Sequence, residues 1–209
     1  ADAQTIARER YGRTAIAREL GSNQDRNFLL EEADGRRTVL RIDNEVFGDD
    51  ARDAQHAALD AYRAAGVSVP AVLSGLNGEV TQRWNGFTAR LSEFAEGESL
   101  LDAGYLAPVV LGEFGALAGA SVNALATLNV QGLERDHMWD MRVAGAQARA
   151  LSSSIADQAL RERLLEALDS ATIALEAVRE QLPVQAIHGD LTDDNVMGVR
   201  GSDTRLHPH

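Results

Sequence analysis

Near the end of the chain, the stretch Ala186-Ile187-His188-Gly189-Asp190-Leu191-Thr192-Asp193-Asp194-Asn195-Val196-Met197-Gly198 places an acid five residues before an amide. Apolar residues at Ala186-Ile187 and Val196-Met197 bracket a polar, strand-hostile loop. A loop of that length can fold back so that carboxylate and amide face one point. A carboxylate can orient or deprotonate a hydroxyl, and an amide oxygen can hold Mg²⁺; phosphoryl transfer needs both within a few ångströms. The same residues also make a good hairpin loop, in which Asp and Asn only satisfy backbone groups, and the spacing alone leaves both readings open. His188 reads best as a structural residue bonding backbone carbonyls.

Other chemistry is excluded by composition. The chain of 209 residues has no cysteine, so thiolate metal sites, disulfides and Cys nucleophiles are absent. All 20 basic residues are Arg, which removes a Walker A loop, a Schiff-base lysine and a Lys general base. Net charge is −12, with 32 acids against 20 bases, and argues against nucleic acid or an anionic membrane as partner. From Ala95 onward 17 acids face 8 bases, whereas residues 1–94 carry 15 and 12. The acidic second half suits a cationic, amine-bearing substrate. No apolar run is expected to reach the length of a membrane span and no signal-peptide pattern opens the chain, so a cytoplasmic location is expected.

The elements that must position the loop follow from periodicity and turn chemistry. Residues 2–11 read as a helix stopped by Gly12, and Ala15–Leu20, Asn27–Glu32 and Thr38–Ile42 read as three antiparallel strands. Asp34-Gly35 is a tight hairpin signal, whereas Gly21-Ser22-Asn23-Gln24-Asp25 is a longer loop able to lie over a phosphate chain. A helix is expected at about 50–65, then a hairpin turning at Asn85-Gly86 between segments 79–83 and 87–94. This completes a sheet of about five strands packed on the 50–65 helix. Helical patterns are expected at 107–128, where Gly112, Gly115 and Gly119 form a close-packing stripe, and continuously over 155–181.

His188-Gly189-Asp190-Leu191-x-x-x-Asn195 resembles the catalytic loop of the aminoglycoside phosphotransferase and choline-kinase family of small-molecule kinases. Trp139-Asp140-Met141 is similar to a stretch of hydroxylysine kinase-like and aminotransferase-fused members. The resemblance implies an α+β, two-lobed, protein-kinase-like fold, C-terminally incomplete. Its parts would be an N-lobe of antiparallel sheet plus helix at 1–94, a hinge at 95–98 and a mainly helical C-lobe at 99–209.

It also implies roles. Asp190 would orient or deprotonate the acceptor hydroxyl, and Asn195 would bind Mg²⁺. Gly21, Ser22 and Asn23 would cap the phosphates of ATP or GTP, and the backbone of Glu93, Phe94 and Ala95 would meet the adenine edge. The family's strand cation is Lys in a pattern like Val-Leu-Lys-Ile; here Val39-Leu40-Arg41-Ile42 supplies Arg41, with Asp53 on the following helix as its candidate acid. The family's next strand carries a metal-binding Asp, and this sequence ends at His209, about where that strand begins, so part of the helical core is expected to be open. The implied activity is transfer of a γ-phosphoryl group to a hydroxyl of a small, amine-bearing metabolite. An antibiotic phosphotransferase and a non-catalytic nucleotide- or metabolite-binding module are the alternatives.

Overall fold

Strand alternation divides the first half of the chain between two chemistries. In the computed structural model, which describes residues 2–22, 25–44, 46, 48–134, 140–200 and 206–208, a sheet of six strands runs β1-β2-β3-β6-β4, with β5 also on β6. The strands are β1 Ala15–Leu20, β2 Arg26–Glu32, β3 Arg37–Ile42, β4 Val72–Leu73, β5 Thr81–Trp84 and β6 Phe87–Glu93, all antiparallel to their neighbours. The β5–β6 turn is the Asn85-Gly86 pair, with φ of 48° and 87°, as the two-residue hairpin with left-handed centres requires.

Phe28, Leu40 and Leu91 stand in one register row, and Asn27, Arg41 and Arg90 in the next, so they face opposite sides of the sheet. The apolar face is covered by α1 (Asp2–Tyr11), whose Ala3, Ile6, Ala7 and Tyr11 form one buried core with Leu30, Leu40, Ala89 and Leu91. The Tyr11 hydroxyl donates to the Ala89 carbonyl at 3.2 Å, and burial raises its pKa above the ordinary tyrosine value.

This corrects the expected packing of the sheet on the second helix. Helix α2 (Asp49–Ala64) instead gives its apolar residues Ala58, Ala61 and Tyr62 to a core shared with Leu117 and Leu125 of α3 (Pro108–Leu125). The side of α3 carrying Val110, Phe114, Leu117 and Leu125 packs on α2, on Leu100 and on the 186–196 loop. By length and composition α3 is apolar enough to cross a membrane, with a mean hydropathy of 1.3, contrary to the expectation that no run reaches that length. Gly112, Gly115 and Gly119 are not a close-packing stripe here: a Cβ on any of them would meet nothing within 4 Å.

The helix expected at 155–181 is present over Gln158–Glu176, and a separate helix precedes it. Helix α4 (Met141–Leu151) is capped by Asp140, whose carboxylate accepts from the Arg142 N–H, and α5 (Gln158–Glu176) is capped by Asp157. A cap side chain that satisfies an orphan N–H starts a new helix wherever the chain turns, and Asp157 does so two residues after Ile155. Of the Trp139-Asp140-Met141 stretch, Trp139 lies outside the described residues, and Asp140 and Met141 begin α4. Val184 and Ile187, which precede the loop, are 73% and 65% exposed.

A second sheet, β7-β8-β9, joins Glu98–Ser99 to Met197–Arg200 and Leu206–Pro208. The His207-Pro208 segment is therefore part of a paired strand.

Candidate active site

The Asp190 loop is pinned from both sides. Val196 is 2% exposed and packs with Leu100 and Val110, while Leu191 lies against the same cluster. The Leu100 N–H donates to the Val196 carbonyl at 3.0 Å, and the Ser99 hydroxyl to the Asp193 carbonyl at 3.2 Å. Gly97 approaches the β8 backbone so closely that a Cβ would lie 2.5 Å from the Gly198 oxygen. The segment after β6 and the strand after the loop are thus one unit. At its turn Gly189 has φ +82°, a left-handed conformation that glycine adopts without strain.

Within that frame acid and amide meet. Asn195 Nδ2 donates to Asp190 Oδ2 at 3.0 Å, to the Asp190 carbonyl at 3.0 Å and to Thr192 Oγ1 at 3.2 Å. With acceptors surrounding its nitrogen, the amide has its Oδ1 without a protein partner among the described residues. The Asp190 N–H donates to His188 Nδ1 at 3.3 Å, so His188 bonds a backbone amide and not the expected carbonyl. Surrounding protein lowers the His188 pKa, against the opposing charge of Asp190, which keeps the ring neutral and Nδ1 an acceptor.

The second group lies on the polar face of the first sheet. Arg41 Nε is 3.3 Å from Asn27 Oδ1 and 3.8 Å from Asp25 Oδ2, and its side chain is 44% exposed. Asp25 also accepts from the Asn44 N–H at 2.9 Å, which fastens the end of the 21–25 loop to the exit of β3. Burial, and then the charge of Arg90, lower the Arg41 pKa from an ordinary value high enough that the group stays charged. Among the described residues the ion pair of this half-exposed cation is long, so it can accept an anion. Among the described residues no hydrogen bond or ion pair joins Arg41, Asp25 or Asn27 to the Asp190 loop.

The other candidates are placed as follows. Gly21 and Ser22 follow β1 at the exposed start of the loop, and Asn23 lies outside the described residues. The Glu93 N–H is taken by the Ala71 carbonyl at 2.9 Å, and Phe94 lies under the Arg37 guanidinium at 4.3 Å from ring centroid to Cζ. Ala95 follows in the same unpaired stretch between β6 and β7.

Asp53 is exposed and forms no ion pair with Arg41 among the described residues. At about 100° per residue, a helix that turns Arg52 and Gln55 toward the sheet turns Asp53 away. Those two residues do reach the sheet: Gln55 Oε1 accepts from Arg90 Nη1 at 2.9 Å, and Arg52 Nε is 3.7 Å from Asp43 Oδ2. Arg90 also donates to Asp43 Oδ1, from Nε at 3.1 Å and Nη2 at 2.6 Å. Sequence reasoning missed this network because an Arg in a strand reads as solvent-facing. The signal was present in the polar row Thr88, Arg90 and Ser92 on one face of an otherwise apolar strand.

The model of the phosphotransferase enzyme family matches residues 16–205, almost the whole chain. The chain belongs to the phosphotransferase enzyme family. No curated protein matches it in sequence. Among solved structures, the chain is similar to a microcompartment-associated aminopropanol kinase, with TM-score 0.72 and 17% identity, over 99% of this chain and 66% of that one. It is similar to spectinomycin phosphotransferase in complex with ADP and spectinomycin at TM-score 0.63 and 10% identity, over 100% and 67% of the two chains. Amicoumacin kinase in complex with AMP-PNP and Ca²⁺ gives 0.61 and 13%, over 96% and 58%. The chain thus spans from 58% to 67% of these enzymes' lengths and has their two-lobed, protein-kinase-like fold.

Proposed function

We propose that the protein transfers the γ-phosphoryl group of ATP or GTP to a hydroxyl of a small, amine-bearing metabolite. The contact between Asp190 and Asn195, at 3.0 Å in a loop fixed by buried Val196, carries this reading. Asp190 Oδ2 is held by the amide, which directs the rest of the carboxylate to an incoming hydroxyl. In the step, the acceptor oxygen bonds to the γ-phosphorus as the bond to the β–γ bridging oxygen breaks, and the hydroxyl proton passes to Asp190. The nucleoside diphosphate leaves with its charge met by Arg41. The loop 21–25, with Gly21, Ser22 and Asn23, would cover the phosphates, and the backbone near Glu93, Phe94 and Ala95 would meet the base.

Mg²⁺ takes few protein ligands and completes its shell with phosphate oxygens and water, so the unpartnered Oδ1 of Asn195 suits it as one ligand. When bound there it would neutralise phosphate charge. For the acceptor, Asp190, Asp193 and Asp194 cluster negative charge where an ammonium group would sit. The solved aminopropanol kinase favours an amino alcohol, and the spectinomycin enzyme keeps an antibiotic acceptor as the second reading. A cytoplasmic setting belongs to the same proposal, since it supplies the nucleotide.

The test is nucleoside diphosphate release by the full-length protein with Mg²⁺-ATP or Mg²⁺-GTP and a panel of amino alcohols, hydroxylated amino acids and aminoglycosides. Turnover dependent on an amino alcohol is expected. Turnover only with aminoglycosides selects the second reading, and nucleotide binding without turnover on any acceptor selects a non-catalytic module.

A further inference from the structure

Helix α2 is joined to the two halves of the molecule by different chemistry. Its apolar side belongs to the core with α3 and Ala186, at the entry to the Asp190 loop. On the sheet side it presents polar groups: Gln55 bonded to Arg90, Arg52 near Asp43, and Asp49 bonded to Arg83 at 2.6 Å. The Arg90–Asp43 pair is almost wholly buried, with side chains 9% and 2% exposed. Leaving either partner alone there would be costly, so the pair fixes its own geometry. Arg90 also stands in register with Arg41 on the adjacent strand, on the same face.

Two guanidinium groups side by side repel unless one is neutralised. Asp43 neutralises Arg90, and Gln55 takes a further N–H, so Arg90 is held toward α2. Arg41 has a neighbour it cannot approach and a counter-ion, Asp25, only at 3.8 Å. Its charge is therefore directed outward. Gln55 is the hydrogen-bonded link by which α2, packed with the catalytic-loop half, reaches the strand beside Arg41.

We propose that Arg90, held by Asp43 and Gln55, is the positioning residue that fixes Arg41 toward nucleotide phosphates and ties α2 to the sheet, in place of an Arg41–Asp53 bridge. The inference rests on the phosphotransferase reading. The charge of Arg90 is among the causes that lower the Arg41 pKa, which agrees with their closeness.

The test compares ATP, ADP and adenosine affinities by titration calorimetry on the full-length protein, with hydrogen exchange of α2, for wild type, Gln55→Leu, Gln55→Glu and Arg90→Lys. Gln55→Leu leaves the buried Arg90–Asp43 pair intact, so it folds. It should weaken ATP and ADP by up to about tenfold, the full worth of one hydrogen bond to a charged group, leave adenosine unchanged and speed exchange in α2. Gln55→Glu, which keeps an acceptor oxygen, should restore both. Arg90→Lys, which cannot reproduce the forked contacts, should weaken ATP at least as much as Gln55→Leu. Equal weakening of ATP and adenosine would show a merely structural role and overturn the proposal, as would unchanged ATP affinity in Gln55→Leu. A wild type that binds no nucleotide would instead remove the phosphotransferase reading, and the inference with it.

Discussion

Asn195→Asp tests whether the loop geometry holds as described. The substitution keeps the side chain's shape but replaces the nitrogen that lies 3.0 Å from Asp190 Oδ2 with a carboxylate oxygen. The amide's bonds to Asp190 and Thr192 are lost, at about 1 kcal/mol for each well-formed bond. Two carboxylates at that separation repel by about 1.4 kcal/mol in bulk water and by about 5.5 kcal/mol at an effective dielectric constant of 20. Because the loop is largely exposed, the lower end applies, about 1–2 kcal/mol. The total at pH 8 is about 2–4 kcal/mol, a fall in Tm of roughly 5–12 °C for a domain of this size. Repulsion raises the folded pKa of the carboxylate pair above the unfolded value near 3.9, since one shared proton relieves it. A group whose folded pKa is raised contributes stability below the unfolded value, and that contribution is lost as pH rises through the folded value. The variant's deficit against wild type should therefore be largest at pH 8 and shrink by about half at pH 4.5. Thermal melts at the two pH values, with Asn195→Leu as an uncharged control, make the comparison. A deficit independent of pH in Asn195→Asp, or one larger at pH 4.5, would refute the Asp190–Asn195 contact.

Three other outcomes are expected. Arg41→Ala should lower ATP affinity at least tenfold in calorimetry while moving Tm by less than about 2 °C, because its ion pair with Asp25 is long and half-exposed. Gly189→Ala should cost about 1–2 kcal/mol in denaturant unfolding and depress turnover further, since φ is +82° and the strain falls beside Asp190, although the Cβ itself meets nothing within 4 Å. Surrounding protein lowers the pKa of both His56 and His188, with the charge of Arg90 assisting at His56, so the unfolded chain binds these protons more readily. Stability should then decline as pH falls below about 6.5, and His56→Gln/His188→Gln should flatten that decline in melts from pH 7.5 to pH 5.

Local chemistry was readable in the sequence wherever it was sufficient to fix the backbone. Asp34-Gly35 and Asn85-Gly86 specify hairpins through residues that accept left-handed φ, and Gly35, Asn85 and Gly86 all adopt it. The 186–198 loop was legible for a similar reason: glycine at the turn, apolar residues on both sides and, apart from Leu191, polar residues between. What could not be read was the choice of partner. The alternation of β3 and β6 identifies two faces, but not that α1 covers the apolar one while α2 faces Arg41 and Arg90. Asp53 was the acid that the family resemblance implied on this helix, yet rotation about the helix favours Arg52 and Gln55. Helix α5 was legible by its apolar periodicity to within a few residues, and its start is set by the Asp157 cap bond to the Leu160 N–H. The glycine stripe on α3 has the pattern of a contact surface without a contact among the described residues.

The central claim is that the Asp190 loop and the Arg41 strand act on one phosphoryl group. It is tested most directly by transfer of γ-labelled phosphate from ATP to an amino alcohol, comparing wild type with Asp190→Asn at matched nucleotide occupancy. The wild type should give a phosphorylated product and the variant about 10²- to 10⁴-fold less, with ATP affinity kept within a few-fold. Equal transfer by both proteins would contradict it.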